Sequence, residues 1–365
     1  MRLEYIDRLR NLGILALFPF HTARVFDASE SFYVQGRPDP LLTTLIPVLS
    51  WLLPLLFVLA GMAGRYSLGV RTLEAYVRER RRRLLYPFLF GIALIVPPQA
   101  YYATLHHGGD PGGPMAFLRS YYTDLSDWSE YEGGFALGHL WFILLLYGLA
   151  TLLLPLIGLI ERRDPSSGPL NHPIGMVALP GASLAVLALI PGVLGKNLVV
   201  FAAFFVLGHL LVRDPATMEA VVRRRLPHLF LGLVGVIGLL TESLTVGSGQ
   251  SPLSDSWRTA LCWAAVLAVL GYGRRYMDRG TAFDSYFSPA AFPVYVLHQT
   301  FLVIIAHHVI ARADHGGWPF LAIMTGSLVA SLVGYELARR ARWTRFVLGI
   351  PERTRPRRSK ASPTG

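Results

Sequence analysis

Ten long apolar stretches run through this chain of 365 residues and limit its fold more than any other feature. Most are close to the length of about 17 to 25 residues that a helix needs to cross a bilayer. Only 16% of the residues are charged, against about 25% in ordinary globular proteins. The sequence therefore predicts an all-α integral membrane protein of about ten transmembrane helices. The predicted helices cover residues 10–26, 41–63, 84–104, 136–160, 173–190, 197–212, 226–245, 257–273, 288–311 and 318–338.

The basic residues are distributed unevenly between the connections of these helices. If the N-terminus is cytoplasmic, 28 of the 34 Lys and Arg residues fall on the cytoplasmic side and 6 on the other. Cytoplasmic loops of membrane proteins carry such an excess of basic residues. The sequence therefore predicts that both termini are cytoplasmic. The same pattern accounts for the net charge of +11 without nucleic-acid binding, which we do not expect.

The domain organisation follows from the same reading. We predict one polytopic domain over residues 1–340. Residues 341–365 are predicted to form a basic cytoplasmic tail, disordered because it is polar and rich in proline. Cys262 is the only cysteine, which excludes a disulfide-stabilised secreted fold.

The first predicted helix contains the most specific candidate residues. Arg10 and His21 lie on one helical face, separated by eleven residues or roughly 16 Å. Arg10 is expected near the cytoplasmic boundary and His21 beyond the bilayer centre. An imidazole accepts and returns a proton near neutral pH, so His21 is a candidate general base. The alternative is a histidine that only forms a hydrogen bond to a neighbouring helix.

A run of arginines precedes the third predicted helix. Arg80 and Arg83 are three residues apart, so we expect them to share a face and to bind phosphate groups together. The alternative is that they only anchor the helix at the cytoplasmic surface.

Further candidates lie in the fourth, ninth and tenth predicted helices. His139 and Trp141 occur in GHLWFILLLY, where an interfacial anchor is the alternative. Tyr295 and His298 lie midway through the ninth helix, where hydrogen bonding between helices is the alternative. Glu336 is an acidic candidate that a local ion pair with the following arginines would also explain.

Metal chemistry is not predicted. His106, His107 and Asp110 are close in sequence, but they lie in a predicted outer loop without a matching ligand set. No metal site is therefore expected.

Taken together, six segments resemble the membrane-bound acyltransferase family 3, in particular its branch with the glucan succinyltransferases. The resemblance covers most of the chain. The segments are DRLRNLGILALFPFH (7–21), the RxxRxxxP core of RERRRRLLYP (78–87), GHLWFILLLY (138–147), FFVLGHLL (204–211), FPVYVLHQTF (292–301) and GYELARRARWTRFVLG (334–349).

The resemblance implies a role for each candidate residue. It makes His21 the catalytic base, with Arg10 and Glu336 as further catalytic candidates. Arg80 and Arg83 are expected at the acyl donor on the cytoplasmic side. His139, Trp141, Tyr295 and His298 occupy motifs expected to bind substrate.

The implied activity is transfer of an acetyl or succinyl group from a cytoplasmic acyl-CoA to a hydroxyl of a cell-envelope glycan or a similar acceptor. Acetyl-CoA or succinyl-CoA would be a donor substrate, with no permanently bound cofactor. We expect a multi-pass protein of the inner membrane, with a glycan synthase as a further partner to consider. The alternatives are a proton-coupled transporter or exporter and an inactive scaffold.

Overall fold

The computed structural model describes residues 4–124, 131–163, 170, 172–193, 195–245 and 251–350. Regular structure in these residues is helical, apart from an isolated β-bridge between Val193 and Lys196. The α-helices are α1 (Glu4–Arg24), α2 (Pro40–Val48), α3 (Leu52–Leu68), α4 (Leu73–Arg80), α5 (Tyr86–Phe90), α6 (Pro97–His106), α7 (Pro114–Thr123), α8 (Trp141–Leu152), α9 (Leu154–Glu161), α10 (Pro173–Ala188), α11 (Leu198–Leu211), α12 (Pro215–Arg223), α13 (Arg225–Thr245), α14 (Pro252–Tyr276), α15 (Ala282–Ile310), α16 (Gly317–Ala338) and α17 (Arg342–Val347).

All ten predicted apolar stretches are mainly helical in the structure, but 41–63 is divided into α2 and α3, and 136–160 is divided into a 3₁₀ turn, α8 and α9. The all-α membrane architecture is thus supported. In the described part of the chain, five helices are long and apolar enough to cross a membrane, or seven if each bent pair forms one span. The number of ten spans and the side of each terminus stay predictions.

The third predicted helix is longer than expected and contains two wider turns. Residues 73–106 form one helical rod in which π-helical turns, Arg81–Leu85 and Gly91–Ile95, separate α4, α5 and α6. Pro97 has no N–H to bond the carbonyl of Ala93, one turn earlier. The Tyr122 hydroxyl of α7 donates a hydrogen bond to that carbonyl instead. The irregular rod thereby gains a fixed contact with α7.

Helix α15 passes through the interior of the bundle. It begins with a capping box, in which Thr281 and Asp284 each accept a hydrogen bond from the other's backbone N–H. It packs against α1, α6 and α16, and buried residues occur on most of its faces. Polar side chains in its middle are therefore enclosed by protein rather than by lipid.

Helices α3 and α11 meet at their backbones. A Cβ atom on Gly61 would lie 2.0 Å from the carbonyl oxygen of Phe205, and one on Gly208 would lie 2.1 Å from that of Val58. Any side chain at either glycine would separate the two helices. Small residues let membrane helices approach this closely.

Helices α1 and α15 begin at the same end of the bundle. Arg8 forms an ion pair of 3.3 Å with Asp284, near the start of α15. We call the end of the bundle at which these two helices begin the Arg10 end, and we call the opposite end the His21 end. At the His21 end the chain after α1 folds inward, so that Phe26, Phe32 and Tyr33 are buried.

The packed chain continues into the segment that was predicted as a tail. Residues Arg342–Val347 form α17, and Val347, Leu348 and Ile350 are buried. The ring of Phe346 contacts Tyr86 at 5.6 Å between centroids. Apolar burial therefore fixes the chain as far as Ile350. Residues 351–365 of the predicted tail lie outside the described residues.

Candidate active site

Three histidines from distant parts of the sequence meet inside the bundle. The ring centroid of His298 on α15 lies 5.2 Å from that of His21 on α1 and 5.0 Å from that of His139, just before α8. His139 and His298 are 6% and 1% exposed, whereas His21 is partly exposed. We call these three side chains the histidine cluster.

A tight turn positions His139. Gly138 has a φ of +54°, a left-handed conformation that glycine adopts without steric cost. It begins the short 3₁₀ turn Gly138–Leu140, which leads into α8. His139 Nε2 donates a hydrogen bond of 3.0 Å to the carbonyl oxygen of Val296. The Tyr295 hydroxyl in turn donates to the carbonyl oxygen of His139, so the turn is joined to α15 in both directions.

The hydrogen bonds also fix where the protons of two imidazoles lie. His298 Nδ1 is 2.6 Å from the carbonyl oxygen of Tyr295, which can only accept. A neutral His298 therefore carries its proton on Nδ1 and a lone pair on Nε2. By the same argument, neutral His139 has its lone pair on Nδ1. Neither His298 Nε2 nor His139 Nδ1 has a hydrogen-bond partner among the described residues.

His21 differs from the other two because it lies at the edge of the buried region. Its ring stacks on Phe32, with 6.3 Å between centroids and 18° between planes. Its Nδ1 is buried and lacks a hydrogen-bond partner among the described residues. A partly exposed imidazole next to two buried ones can exchange protons with a bound molecule and with the outside.

An ion pair holds the chain beyond His21. Arg24 is paired with Asp27, and both side chains are buried. Arg24 also lies 2.9 Å from Glu30 and donates to the carbonyl of Ser31. These contacts fix the segment that carries Phe32. The Arg24 ion pair was not predicted from the sequence, although charged residues at the end of an apolar helix are a signal for such a pair.

Two buried glutamines were missed as well. Gln99 at the start of α6 is 0% exposed, and Gln299, next to His298, is 3% exposed. They form a hydrogen bond of 3.2 Å with each other. Burying a glutamine in an apolar helix costs free energy unless its amide has a hydrogen-bond partner. A glutamine in an apolar stretch of sequence could therefore have indicated such a pair.

The other sequence candidates are not part of the histidine cluster. The ring of Trp141 packs on Phe201, with 5.7 Å between centroids. Glu336 forms an ion pair of 2.9 Å with Arg339 and accepts a hydrogen bond from Tyr286. Tyr286 is twelve residues before His298, or about 18 Å along α15. Of the nine site candidates, the structure brings together His21, His139, Tyr295 and His298.

The arginine candidates lie toward the Arg10 end. Arg10 forms an ion pair of 2.9 Å with Asp7. The Arg80 guanidinium lies over the ring of Tyr76, 4.8 Å from its centroid, and its Nε has no hydrogen-bond partner among the described residues. Arg83 is exposed and pairs with Glu79 at 3.2 Å. Arg80 and Arg83 thus have different partners, and Arg80 ends α4 whereas Arg83 lies within the π-helical turn that follows.

Metal binding has no candidate in the described part of the chain, where no group of three or more possible ligands is found. His106 instead accepts a hydrogen bond of 3.0 Å from the backbone N–H of Gln35.

Comparison with known proteins shows which family this chain belongs to. A family model described as an acyltransferase domain matches residues 3–336. Glucans biosynthesis protein C of Escherichia coli SMS-3-5 is 23% identical over 94% of this chain and 93% of its own length. The protein of the same name from Escherichia coli K12 is also 23% identical over the same shares. No solved structure matches the chain. Because the family model covers nearly the whole sequence, this chain belongs to the acyltransferase 3 family of integral membrane acyltransferases.

Proposed function

We propose that this acyltransferase moves an acetyl or succinyl group from a cytoplasmic acyl-CoA to a hydroxyl of a cell-envelope glycan. In this proposal His21 is the general base. The observation that carries it is the histidine cluster, in which three imidazoles meet and each has a nitrogen without a hydrogen-bond partner in the described part of the chain. The named relatives support a glucan as the acceptor, since they are glucan biosynthesis proteins.

The reaction needs one base and one path for a proton. The acceptor oxygen attacks the thioester carbonyl carbon, a C–O bond forms, and the C–S bond breaks to release CoA. His21 takes the proton of the attacking hydroxyl and returns it to the thiolate that leaves. Because His21 is the partly exposed member of the cluster, an acceptor approaching from the His21 end reaches it first.

The acyl donor would enter from the opposite end. The unpartnered Nε of Arg80 supports binding of an anionic group there, since guanidinium groups bind phosphates well. Arg83 is exposed nearby in sequence, and Arg10 lies on the same helix as His21. This arrangement requires a cytoplasmic Arg10 end, in agreement with ten spans in the inner membrane and both termini inside.

The base is tested by replacing His21 with alanine in the full chain, reconstituted in proteoliposomes. The assay supplies radiolabelled acetyl-CoA or succinyl-CoA with glucose oligosaccharides and counts label in the sugar. General-base assistance is worth about 10²–10⁴-fold, so the rate is expected to fall by that factor. His228→Gln is the control, because His228 is buried in α13 outside the cluster.

A wild-type transfer rate in His21→Ala would refute the base role. Movement of sugar into sealed vesicles without acylation would favour the transporter alternative instead. Mass spectra of surface glycans from cells with and without the protein would identify both the acyl group and the acceptor.

A further inference from the structure

A chain of buried amides and hydroxyls runs beside the histidine cluster. Thr300 Oγ1 lies 2.6 Å from the carbonyl oxygen of Ile95, and Gln99 Nε2 lies 2.7 Å from Thr300 Oγ1. Gln299 Nε2 lies 3.2 Å from Gln99 Oε1. These contacts connect α15 with the last π-helical turn before α6. None of these polar side chains has been given a part in the reaction above.

The direction of every hydrogen bond in this chain is determined by its first member. The Ile95 carbonyl can only accept, so the Thr300 hydroxyl donates to it. Thr300 must then accept from Gln99, which places the amide nitrogen of Gln99 toward it. The oxygen of Gln99 is left to accept from Gln299 Nε2. The carboxamide of Gln299 consequently presents its oxygen, Oε1, at the free end.

The Ile95 carbonyl is available because of local helix geometry. In a regular α-helix it would accept from the N–H of Gln99, four residues later. That N–H bonds to the carbonyl of Val96 instead, at 2.8 Å. The irregular turn therefore supplies the acceptor that orients both glutamines.

Gln299 Oε1 has no donor within hydrogen-bond distance among the described residues. The residue is 3% exposed, and a buried amide oxygen without a donor is unfavourable. A donor supplied by a bound molecule would remove this deficit.

The Gln99–Gln299 pair lies beside the segment that carries His139. Gln299 follows His298 directly in α15, and Gln99 Oε1 would be 3.6 Å from a Cβ on Gly138, the residue before His139. The hydrogen bonds to carbonyls also make His298 Nε2 and His139 Nδ1 acceptors, and neither has a donor within the described residues. Gln299 and His298 on α15 and His139 before α8 therefore each carry an acceptor without a donor among the described residues, and a molecule rich in N–H or O–H donors fits them.

We propose that Gln299 is a specificity-determining residue, whose side-chain oxygen accepts a hydrogen bond from the substrate at the histidine cluster. This inference rests on the proposed function. The substrate donor is either a hydroxyl of the acceptor sugar or an amide N–H of the pantetheine arm of the acyl-CoA. Thr300 and Gln99 act on the substrate only by orienting Gln299.

The test compares Gln299→Met with the wild-type chain in lipid nanodiscs. Methionine keeps the length of the side chain but offers no comparable acceptor. Binding of acetyl-CoA and of a glucose oligosaccharide is measured separately by calorimetry, and KM for each is measured where turnover occurs. We expect binding of one ligand to weaken about three- to tenfold, the effect of one neutral hydrogen bond. Ser331→Ala, a buried hydroxyl on α16 that bonds only to its own helix, is the matched control.

The two binding measurements identify which ligand donates the hydrogen bond to Gln299. Weaker binding of the oligosaccharide alone assigns the bond to an acceptor hydroxyl, and weaker binding of acetyl-CoA alone assigns it to the pantetheine amide. If both affinities are unchanged, or if the wild type binds neither ligand, the inference is overturned. If Gln299→Met changes binding while the wild type transfers no acyl group, the proposed function fails and the inference stands.

A second variant, Thr300→Val, tests the inference if Gln299→Met does not fold. Thr300→Val removes the hydroxyl that orients Gln99, so the Gln299 oxygen is no longer held in place. The same ligand should bind more weakly, by a smaller factor than for Gln299→Met. Unchanged binding of both ligands to a folded Thr300→Val would also contradict the inference.

Discussion

The Arg10 end of the bundle and the histidine cluster differ in how their polar side chains are paired. Toward the Arg10 end, carboxylates pair with most of the arginines discussed, as Asp284 does with Arg8 and Glu79 with Arg83. In the histidine cluster, backbone carbonyls hold two of the rings, and each ring keeps a nitrogen without a partner among the residues that the structure describes. Satisfied charges stabilise a surface, whereas unsatisfied buried groups mark a place for a ligand. We therefore expect the reaction to take place at the histidine cluster.

Apart from the loss of the His21 base, the largest effect is expected from His298. Replacing it with phenylalanine keeps a ring of similar size but removes Nε2 from the centre of the cluster. We expect kcat to fall at least about 10²-fold, the lower range for loss of an acid–base group, with little change in thermal unfolding. Acyl transfer and unfolding temperature are measured on the same preparation. Activity within threefold of wild type would show that the central ring is only structural.

The next effect concerns stability at the His21 end. Asp27→Asn leaves the buried Arg24 without its main counter-charge. Breaking one side of a buried ion pair costs about 3–5 kcal/mol, so the unfolding temperature in detergent should fall clearly. Asp314→Asn, an exposed carboxylate beside His315, is the control. An equal stability of the two variants would contradict the importance of the Arg24 pair.

A smaller effect is expected at the arginine run. The double variant Arg80→Ala and Arg83→Ala should raise KM for acyl-CoA about tenfold, through loss of charge-assisted contacts to phosphate. The difference should shrink at high salt, because salt screens exposed charges. Arg78→Ala is the matched control, since Arg78 is exposed and pairs only with Glu74 within α4. If the double variant behaves like Arg78→Ala, the arginines serve as helix anchors.

The smallest effect is expected from Glu336→Gln. The carboxylate has local partners, Arg339 and Tyr286, and exposed pairs of this kind contribute about 0–1 kcal/mol. We expect less than a twofold change in acyl transfer. A hundredfold loss would instead return Glu336 to the catalytic residues implied by the family resemblance.

Much of the helical fold could be predicted from the sequence. Apolar length locates α10, α13 and α16 because a helix in lipid must satisfy its own backbone and cover it with apolar side chains. The breaks were harder, since the π-helical turns in residues 73–106 depend on prolines and on contacts with α7. The helices α12 and α17 lie beside apolar stretches, and each is too short and too polar on average to be predicted from apolar length.

The candidate site was only partly predictable for a related reason. His21 and His298 stand out because a histidine in an apolar helix is costly. Trp141 shares a motif with His139, yet it faces Phe201, because two residues along a helix turn a side chain to another face. The sequence alone did not indicate Gln299 as a binding residue, because the orientation of its side chain depends on a series of hydrogen bonds that starts at the Ile95 carbonyl.

The sequence by itself determined that the chain is a helical membrane protein and which ionisable residues enter its apolar segments. The reason is local, because apolar length and the cost of buried polarity are properties of each segment. Only the tertiary structure decided that residues 21, 139 and 298 meet, and which nitrogens of residues 139 and 298 are held by backbone carbonyls. Those facts depend on how α1, α8 and α15 pack, and on backbone carbonyls that no side-chain pattern encodes.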